Sequence, residues 1–190
     1  DGQHGSYYAP LESPALTGTP TAPTPATETN NTQIATTAFV KNQKYEPNRG
    51  TGTNSIALGT NSEASGNYSI ALGTNSEASV ARSLALGNGA IASGYGSIAL
   101  GYNVEASGAD SIALGVNSEA SGQNSIALGW GSRAIGKDSI ALGIEARAIG
   151  EDSIALGGRS TASGLYSIAL GANAEAPRDY QITIGTKFVY

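Results

Sequence analysis

The chain has 190 residues and a formal net charge of −5, with a sequence pI near 4.8. Such an acidic chain repels phosphate backbones, so nucleic acid is excluded as an expected partner. It contains 26 glycines but one Trp, two Phe and no Met or Cys, which leaves too few large side chains for a compact enzyme core and excludes disulfides.

No apolar stretch reaches the roughly 18 residues that a membrane-spanning helix needs, so we predict no membrane insertion. The first residue is Asp1 rather than Met, and we expect a fragment or a processed product of a longer protein. His4 is the sole histidine. It is expected to be exposed near a terminus rather than to bind metal, and neither a metal nor another cofactor is predicted.

Residues 1–50 are predicted to form an extended connector. The Pro/Thr-rich stretch 10–25 favours polyproline geometry over a packed helix. Residues 30–32 can cap a short helix near 32–44, in which Ile34 and Ala38, or Ala35 and Phe39, share one face. Such a helix is too short to be stable alone. Three copies packing Ile34 and Phe39 at a common axis would stabilise it.

Residues 51–186 are ten tandem units centred on Ser-Ile-Ala-Leu-Gly. Gly59 begins a series of ten glycines spaced 14 apart, Ala64 stands five residues later, and Gly66 marks a second corner. This period predicts two short strands per coil, stacked about 4.8 Å apart by parallel ladders. The predicted fold class is therefore all-β, a parallel β-roll, or solenoid, of about ten coils.

Alternation along the first strand separates large from small side chains. Ile56 and Leu58 share one face while Ser and Ala share the other, and Ile112 and Leu114 repeat the pattern before Gly115. We favour the large residues pointing into the roll. Because the strand carries no charge on either face, both faces are expected to be buried, with the Ser-Ala-Gly face covered by self-association of several chains.

Two resemblances follow from these residues. Asn-Ser-Ile-Ala-Leu-Gly-Thr-Asn-Ser-Glu-Ala-Ser-Gly at 54–66 resembles the head repeats of YadA-type trimeric autotransporter adhesins, over about residues 51–186. That resemblance implies a left-handed parallel β-roll and a homotrimer. Ser-Tyr-Tyr-Ala-Pro-Leu at 6–11 and Thr-Gln-Ile-Ala-Thr-Thr-Ala-Phe-Val at 32–40 are similar to a recurring segment of tailed-phage tail fibres.

Together they imply a structural and adhesive trimeric tail-fibre segment that spaces or presents a host-recognition surface on a virion. The implied partners are other tail-fibre or baseplate proteins and a bacterial surface glycan or outer-membrane protein. The alternative is the head of a bacterial trimeric adhesin that binds host matrix from the cell surface. Residues 187–190 either close the last coil or lead to a missing tip.

An enzyme is not expected. Hexapeptide-repeat acyltransferases are also trimeric solenoids, but each of their coils has three faces and consists of three hexapeptides, and they depend on a catalytic histidine, whereas His4 lies far from the repeats here. The Gly94-Tyr95-Gly96 stretch superficially resembles a dinucleotide-binding fingerprint, yet it lies across a repeat corner with no helix after it, and we interpret it as a turn.

Positions that vary between coils are candidates for binding. The residue after the first corner glycine is Tyr102, Val116, Trp130 and Ile144 in four consecutive coils, an apolar stripe that is either a receptor platform or a packing surface between chains. Arg133 and Arg147 follow Glu119 on the outward row of the second strand. They are expected to be solvated, with an anionic glycan as the alternative.

Overall fold

A computed structural model describes residues 50–185. Three sequence-based predictions lie outside the described residues: the connector at 1–50, of which only Gly50 is described, its helix near 32–44, and the terminal residues 187–190. The described part contains strands and turns, and no helix there is long and apolar enough to cross a membrane.

Nineteen short strands form two parallel sheets, with one strand of each sheet contributed by nearly every coil. The first sheet contains, in order, β1 Ile56–Leu58, β3 Ile70–Leu72, β5 Leu84–Leu86, β7 Ile98–Leu100, β9 Ile112–Leu114, β11 Ile126–Leu128, β13 Ile140–Leu142, β15 Ile154–Leu156, β17 Ile168–Leu170 and β19 Ile182–Ile184. The second contains β2 Glu63–Ala64, β4 Glu77–Ala78, β6 Ile91–Ala92, β8 Glu105–Ala106, β10 Glu119–Ala120, β12 Arg133–Ala134, β14 Arg147–Ala148, β16 Thr161–Ala162 and β18 Glu175–Ala176. The predicted all-β parallel solenoid is confirmed.

The register between neighbouring coils equals one sequence repeat and does not slip. Ile56 lies beside Ile70 and Leu58 beside Leu72, and the Ile56 N–H donates to the Ser69 carbonyl at 2.9 Å. Every position in one coil therefore stacks on the equivalent position of the next. A row of side chains along the roll is one column of the repeat, about 4.8 Å from residue to residue.

The orientation that we favoured for the first strand is wrong. Ala57 and Ala64 are buried between the sheets, whereas Ile56 and Leu58 are 48% and 49% exposed on the outside. The two sheets lie so close that Ala and Ser fill nearly all of the space between them, and Val104 is the largest fully buried side chain described. Large side chains have no room inside, so the Ile and Leu columns must point outward.

Eight interior serines donate to backbone carbonyls at the corners, whereas six other buried serine hydroxyls, such as that of Ser111, have no hydrogen-bond partner among the described residues. The hydroxyl of Ser69 donates to the Gly66 carbonyl at 2.7 Å and that of Ser62 to the Gly59 carbonyl at 3.0 Å. A carbonyl turned inward at a corner is thereby paired where water cannot reach it. Ala90, Ala146 and Ala174 occupy the Ser62 column in other coils, so the dry interior accepts the loss of this hydroxyl.

Each corner contains a residue with left-handed backbone. Asn61 and Asn117 both have φ near 54° at the first corner, and Asp110 and Asp138 have φ of 54° and 55° at the second. Asn and Asp tolerate this conformation better than other side chains, which explains why they recur at these columns.

The first corner glycines are required by the coil that follows. Gly115 has φ of +134°, and a Cβ added to it would lie 2.6 Å from the carbonyl oxygen of Gly129. Gly158, one residue after a corner glycine, differs because a Cβ there would meet nothing closer than 3.9 Å and its φ is not in the left-handed range. Two glycines of the same roll therefore have opposite tolerance for a side chain.

Gly115→Ala is expected to destabilise the roll by about 2 kcal/mol or more, because the methyl group meets backbone that cannot move without shifting the next coil. The matched variant Gly158→Ala should change stability by less than about 0.5 kcal/mol. Thermal unfolding followed by circular dichroism measures both. Equal melting temperatures for the two variants would contradict this account of the corner.

Ala127→Leu places a large side chain between the sheets in the middle of the roll. We expect a loss of about 3 kcal/mol, at the upper end of the usual cost of overpacking, because neither sheet can move away alone. Glu105→Leu adds the same side chain to the outward row, where Ile91 already stands one coil earlier, and should be nearly neutral. An Ala127→Leu protein as stable as Glu105→Leu would show that the interior is wider than described.

Candidate functional site

The outward face of the first sheet forms an apolar ladder of Ile and Leu side chains. We call it the Ile/Leu ladder; it comprises the first and last residue of each first-sheet strand. These side chains are partly covered by their neighbours along the roll, yet Leu86 remains 42% exposed and Leu114 38%. No ionisable side chain interrupts the ladder in any of the ten strands.

The predicted apolar stripe is continuous and exposed. Tyr102, Val116, Trp130 and Ile144 are 52%, 39%, 49% and 59% exposed. Their backbones are fixed by the next coil, since the N–H of Glu145 donates to the Trp130 carbonyl at 2.8 Å. The stripe is thus a row of large side chains on a rigid corner.

Beyond Ile144 the same column holds Gly158 and Ala172, and the change from large to small side chains leaves a shallow cavity. We call this the Ile144 cavity. Its volume is about 330 Å³, and it is lined by Ile144, Gly158, Arg159, Ala172 and Asn173. Because Gly158 has open space where a Cβ would stand, its small size, and not a backbone constraint, keeps the cavity open.

Arg133 and Arg147 lie side by side on the outward row of the second sheet, in β12 and β14. Arg133 donates from Nε to Glu119 Oε2 at 2.9 Å. This ion pair offsets the repulsion between the stacked Arg133 and Arg147. Arg147 is exposed and has no ion-pair partner between residues 50 and 185.

Two charged residues at the first corner complete this region. Arg159 donates from Nε to Glu145 Oε2 at 2.9 Å, and both have left-handed backbone where other coils have Asn or Gly. They line a second shallow cavity of about 370 Å³, which we call the cationic cavity, together with Gly131, Arg133, Arg147 and Thr161. Sequence analysis missed Glu145 and Arg159; their departure from Asn in an aligned column was the available signal.

The structure thus brings only part of the predicted site together. Trp130 and Arg133 belong to one coil, and Ile144 and Arg147 to the next. Tyr102 lies two coils before Trp130 and Val116 one coil before it, and in those coils the outward residue of the second sheet is Glu105 or Glu119 instead of an arginine. Arg159 lines both cavities, so apolar and cationic surfaces meet at this residue.

An acidic group lies at the second corner. Carboxylate oxygens of Asp138, Glu151 and Asp152 lie within 4.8 Å of one another. The Lys137 ammonium lies 2.9 Å from Asp138 Oδ2 and 3.4 Å from Glu151 Oε1. The hydrogen bond from Lys137, and then that from Asn124, lowers the pKa of Asp138, while the hydrogen bond to Asp138 is the main cause that raises the pKa of Lys137. The group is a local charge network.

These features define the class of the protein: a thin parallel β-solenoid with an interior of small residues, a constant outward Ile/Leu ladder, and variable columns at the corners and on the second sheet. The YadA head domain repeat matches residues 51–76, 81–103, 106–132, 134–158 and 148–174, more than half of the chain. The chain belongs to the YadA head repeat family.

Two similar proteins place this family membership in context. The crystal structure of the collagen-binding domain of the Yersinia adhesin YadA is 28% identical, with a TM-score of 0.62, and the match covers 73% of this chain and 74% of that one. A probable tail fiber protein of Escherichia phage P2 is 78% identical over 32 residues, which is 17% of this chain and 5% of the phage protein. The chain therefore spans only a small part of that relative.

Trp130→Ala separates the two interpretations of the apolar stripe. We expect the variant to keep the assembly mass of the unchanged protein, because Trp130 lies at a corner and not on the Ile/Leu ladder, and to attach more weakly to cells that the unchanged protein binds. Light scattering after size exclusion gives the mass, and binding of labelled protein to cells gives attachment. Loss of assembly would assign the stripe to packing between chains.

Proposed function

We propose that the chain is a segment of a homotrimeric phage tail fibre, in which the roll spaces or presents a host-recognition surface. The observation that carries this proposal is the Ile/Leu ladder, which is uncharged, exposed and continuous along ten strands. Soluble monomers rarely expose an apolar surface of this extent. The ladder is therefore a surface for association with further copies of the chain.

The energetics favour such an assembly. Covering the exposed remainder of each ladder side chain is worth roughly 1 kcal/mol, about half the value for full burial. Each chain offers two such side chains in each of ten strands, on the order of 20 kcal/mol before the entropic costs of association. The chains then meet through Ile and Leu, and not through the Ser-Ala-Gly face that alternation alone suggested.

The similarities support the number three and the virion setting of this proposal. YadA-like heads are trimeric and adhesive, and a solenoid with one flat apolar side can place that side against an axis in each of three chains. The 78% identity to a phage P2 tail fiber protein over 32 residues supports a virion setting, with other tail-fibre or baseplate proteins as neighbours and a bacterial surface glycan or outer-membrane protein as receptor. The proposal assigns no catalytic step to the chain.

A second candidate is the head of a bacterial adhesin on the cell surface. The fold similarity to a collagen-binding domain over about three quarters of each chain favours it, and the ligand would then be a matrix protein of the host. Immunogold labelling with antibodies against residues 50–185 distinguishes the two. Label on the tails of purified phage particles supports the fibre, whereas label on intact bacterial cells without particles overturns it.

Ile126→Asp tests the assembly itself. The unchanged protein is expected to have three times the chain mass of 19.0 kDa, and a charge in the middle of the ladder should yield smaller species, because an unpaired carboxylate cannot be buried there. Ile91→Asp is the matched control, since the same change on the second sheet lies between Glu77 and Glu105. Equal masses for both variants, or a monomeric unchanged protein, would refute the proposed interface.

A further inference from the structure

The outward row of the second sheet changes sign along the roll. Its first members are acidic apart from Ile91, whereas Arg133 and Arg147 replace them in β12 and β14. The cationic cavity at this point is lined by three arginines and one glutamate, although the whole chain has a net charge of −5. Positive charge is therefore concentrated at one place on an acidic protein.

The two ion pairs orient Arg133 and Arg159 but leave most of their N–H donors available. Arg133 and Arg159 each donate from Nε to a glutamate of the preceding coil, which employs one of the five N–H donors of a guanidinium. Arg147 stands between them without an ion-pair partner among the residues that the structure describes. An anion that entered the cavity would meet a free guanidinium with two further arginines beside it.

An apolar surface adjoins the positive one. Arg159 lines both the cationic cavity and the Ile144 cavity. The latter has Ile144 as its wall and the small residues Gly158 and Ala172 in the same column. A ligand that extends across Arg159 would place an apolar face against Ile144 and an anionic group near Arg147.

We propose that this surface binds an acidic sugar residue of a polysaccharide, with its carboxylate at Arg147 and a ring face in the Ile144 cavity. A pyranose ring combines an apolar C–H face with a carboxylate in this way, and cavities of about 330 and 370 Å³ are at the small end of ligand sites. The inference rests on the proposed adhesive function for its biological role.

An acidic protein segment fits the surface less well. An extended peptide gains affinity by adding a strand to a free sheet edge, but β12, β14 and β16 are each paired on both sides. The cavities are also shallow, so they cannot enclose the large side chain that anchors a typical protein interface. A sugar needs neither a free edge nor a deep pocket.

The test uses the full chain and three immobilised polymers: polygalacturonate, neutral dextran and polyglutamate. We expect binding to polygalacturonate that weakens with added salt, little binding to dextran, and weaker binding to polyglutamate, measured by interferometry. Arg147→Gln should weaken polygalacturonate binding about tenfold through loss of one charge-assisted contact. Arg82→Gln removes the same charge from an exposed corner outside the cavities and should remain within about twofold, as expected for a distant surface charge.

Gly158→Leu tests whether a sugar ring packs in the Ile144 cavity or whether binding is due to charge attraction alone. The leucine has space for its Cβ and should fill the Ile144 cavity, reducing binding to polygalacturonate while the melting temperature stays unchanged. Equal effects of Arg147→Gln and Arg82→Gln, no effect of Gly158→Leu, or polyglutamate bound as tightly as polygalacturonate would each overturn the inference; the last result would point to an acidic protein.

The outcomes also separate this inference from the proposed function. If the protein is a trimer located on phage tails but does not bind polygalacturonate, the sugar site is refuted and the fibre proposal stands. If the protein binds polygalacturonate but is not trimeric, or if the antibodies label only bacterial cells, the sugar site stands and the fibre proposal is refuted.

Discussion

The close approach of the two sheets is the constraint on which the rest of this structure depends. Ala and Ser fill the gap almost alone, and Val104 marks the largest side chain that it admits. A conventional apolar core cannot form in so narrow a space, so the large side chains are placed outside. The roll consequently carries on its surface the large apolar side chains that most domains bury.

The same constraint explains the corners. A chain that turns twice in every coil must pass next to the corner of the following coil, and at Gly115 the backbone of Gly129 leaves no room for a Cβ. Serine hydroxyls such as that of Ser69 pair with inward carbonyls, which no other small side chain of the interior can do. The constant small residues of the repeat are therefore those that meet the neighbouring coil or the opposite sheet, the Ile and Leu columns are constant although they point outward, and the variable residues lie at the corners and on the outward row of the second sheet.

Much of the fold follows from the period alone, because a constant interval between equivalent residues fixes both the register and the columns. The period did not show which face of the first strand is buried. Alternation shows that Ile56 and Leu58 share a face, but it does not give the distance between the sheets, and that distance decides which face is inside. The exposed stripe at Trp130 was predictable because stacking converts a repeated position into a row.

The charged part of the candidate site was less accessible to sequence reasoning. Arg133 and Arg147 were visible as neighbours in one column, but the ion pair of Arg133 with Glu119, and the lack of an ion-pair partner for Arg147 within residues 50–185, depend on side-chain positions. Glu145 and Arg159 belong to a corner column that otherwise contains Asn or Gly. Their proximity to the second-sheet arginines depends on how the corner turns, which spacing does not specify.

The unbroken register has a consequence for how such a protein changes in length. Gain or loss of one complete unit joins equivalent residues, keeps every column intact and moves everything beyond it by about 4.8 Å. The length of the roll therefore changes by whole coils, whereas a shift of one residue within a first-sheet strand would turn its large side chains toward the narrow interior. The position of the arginine-rich coils along the roll is set by the number of coils before them, so duplication of one unit would move their surface along the axis without altering it.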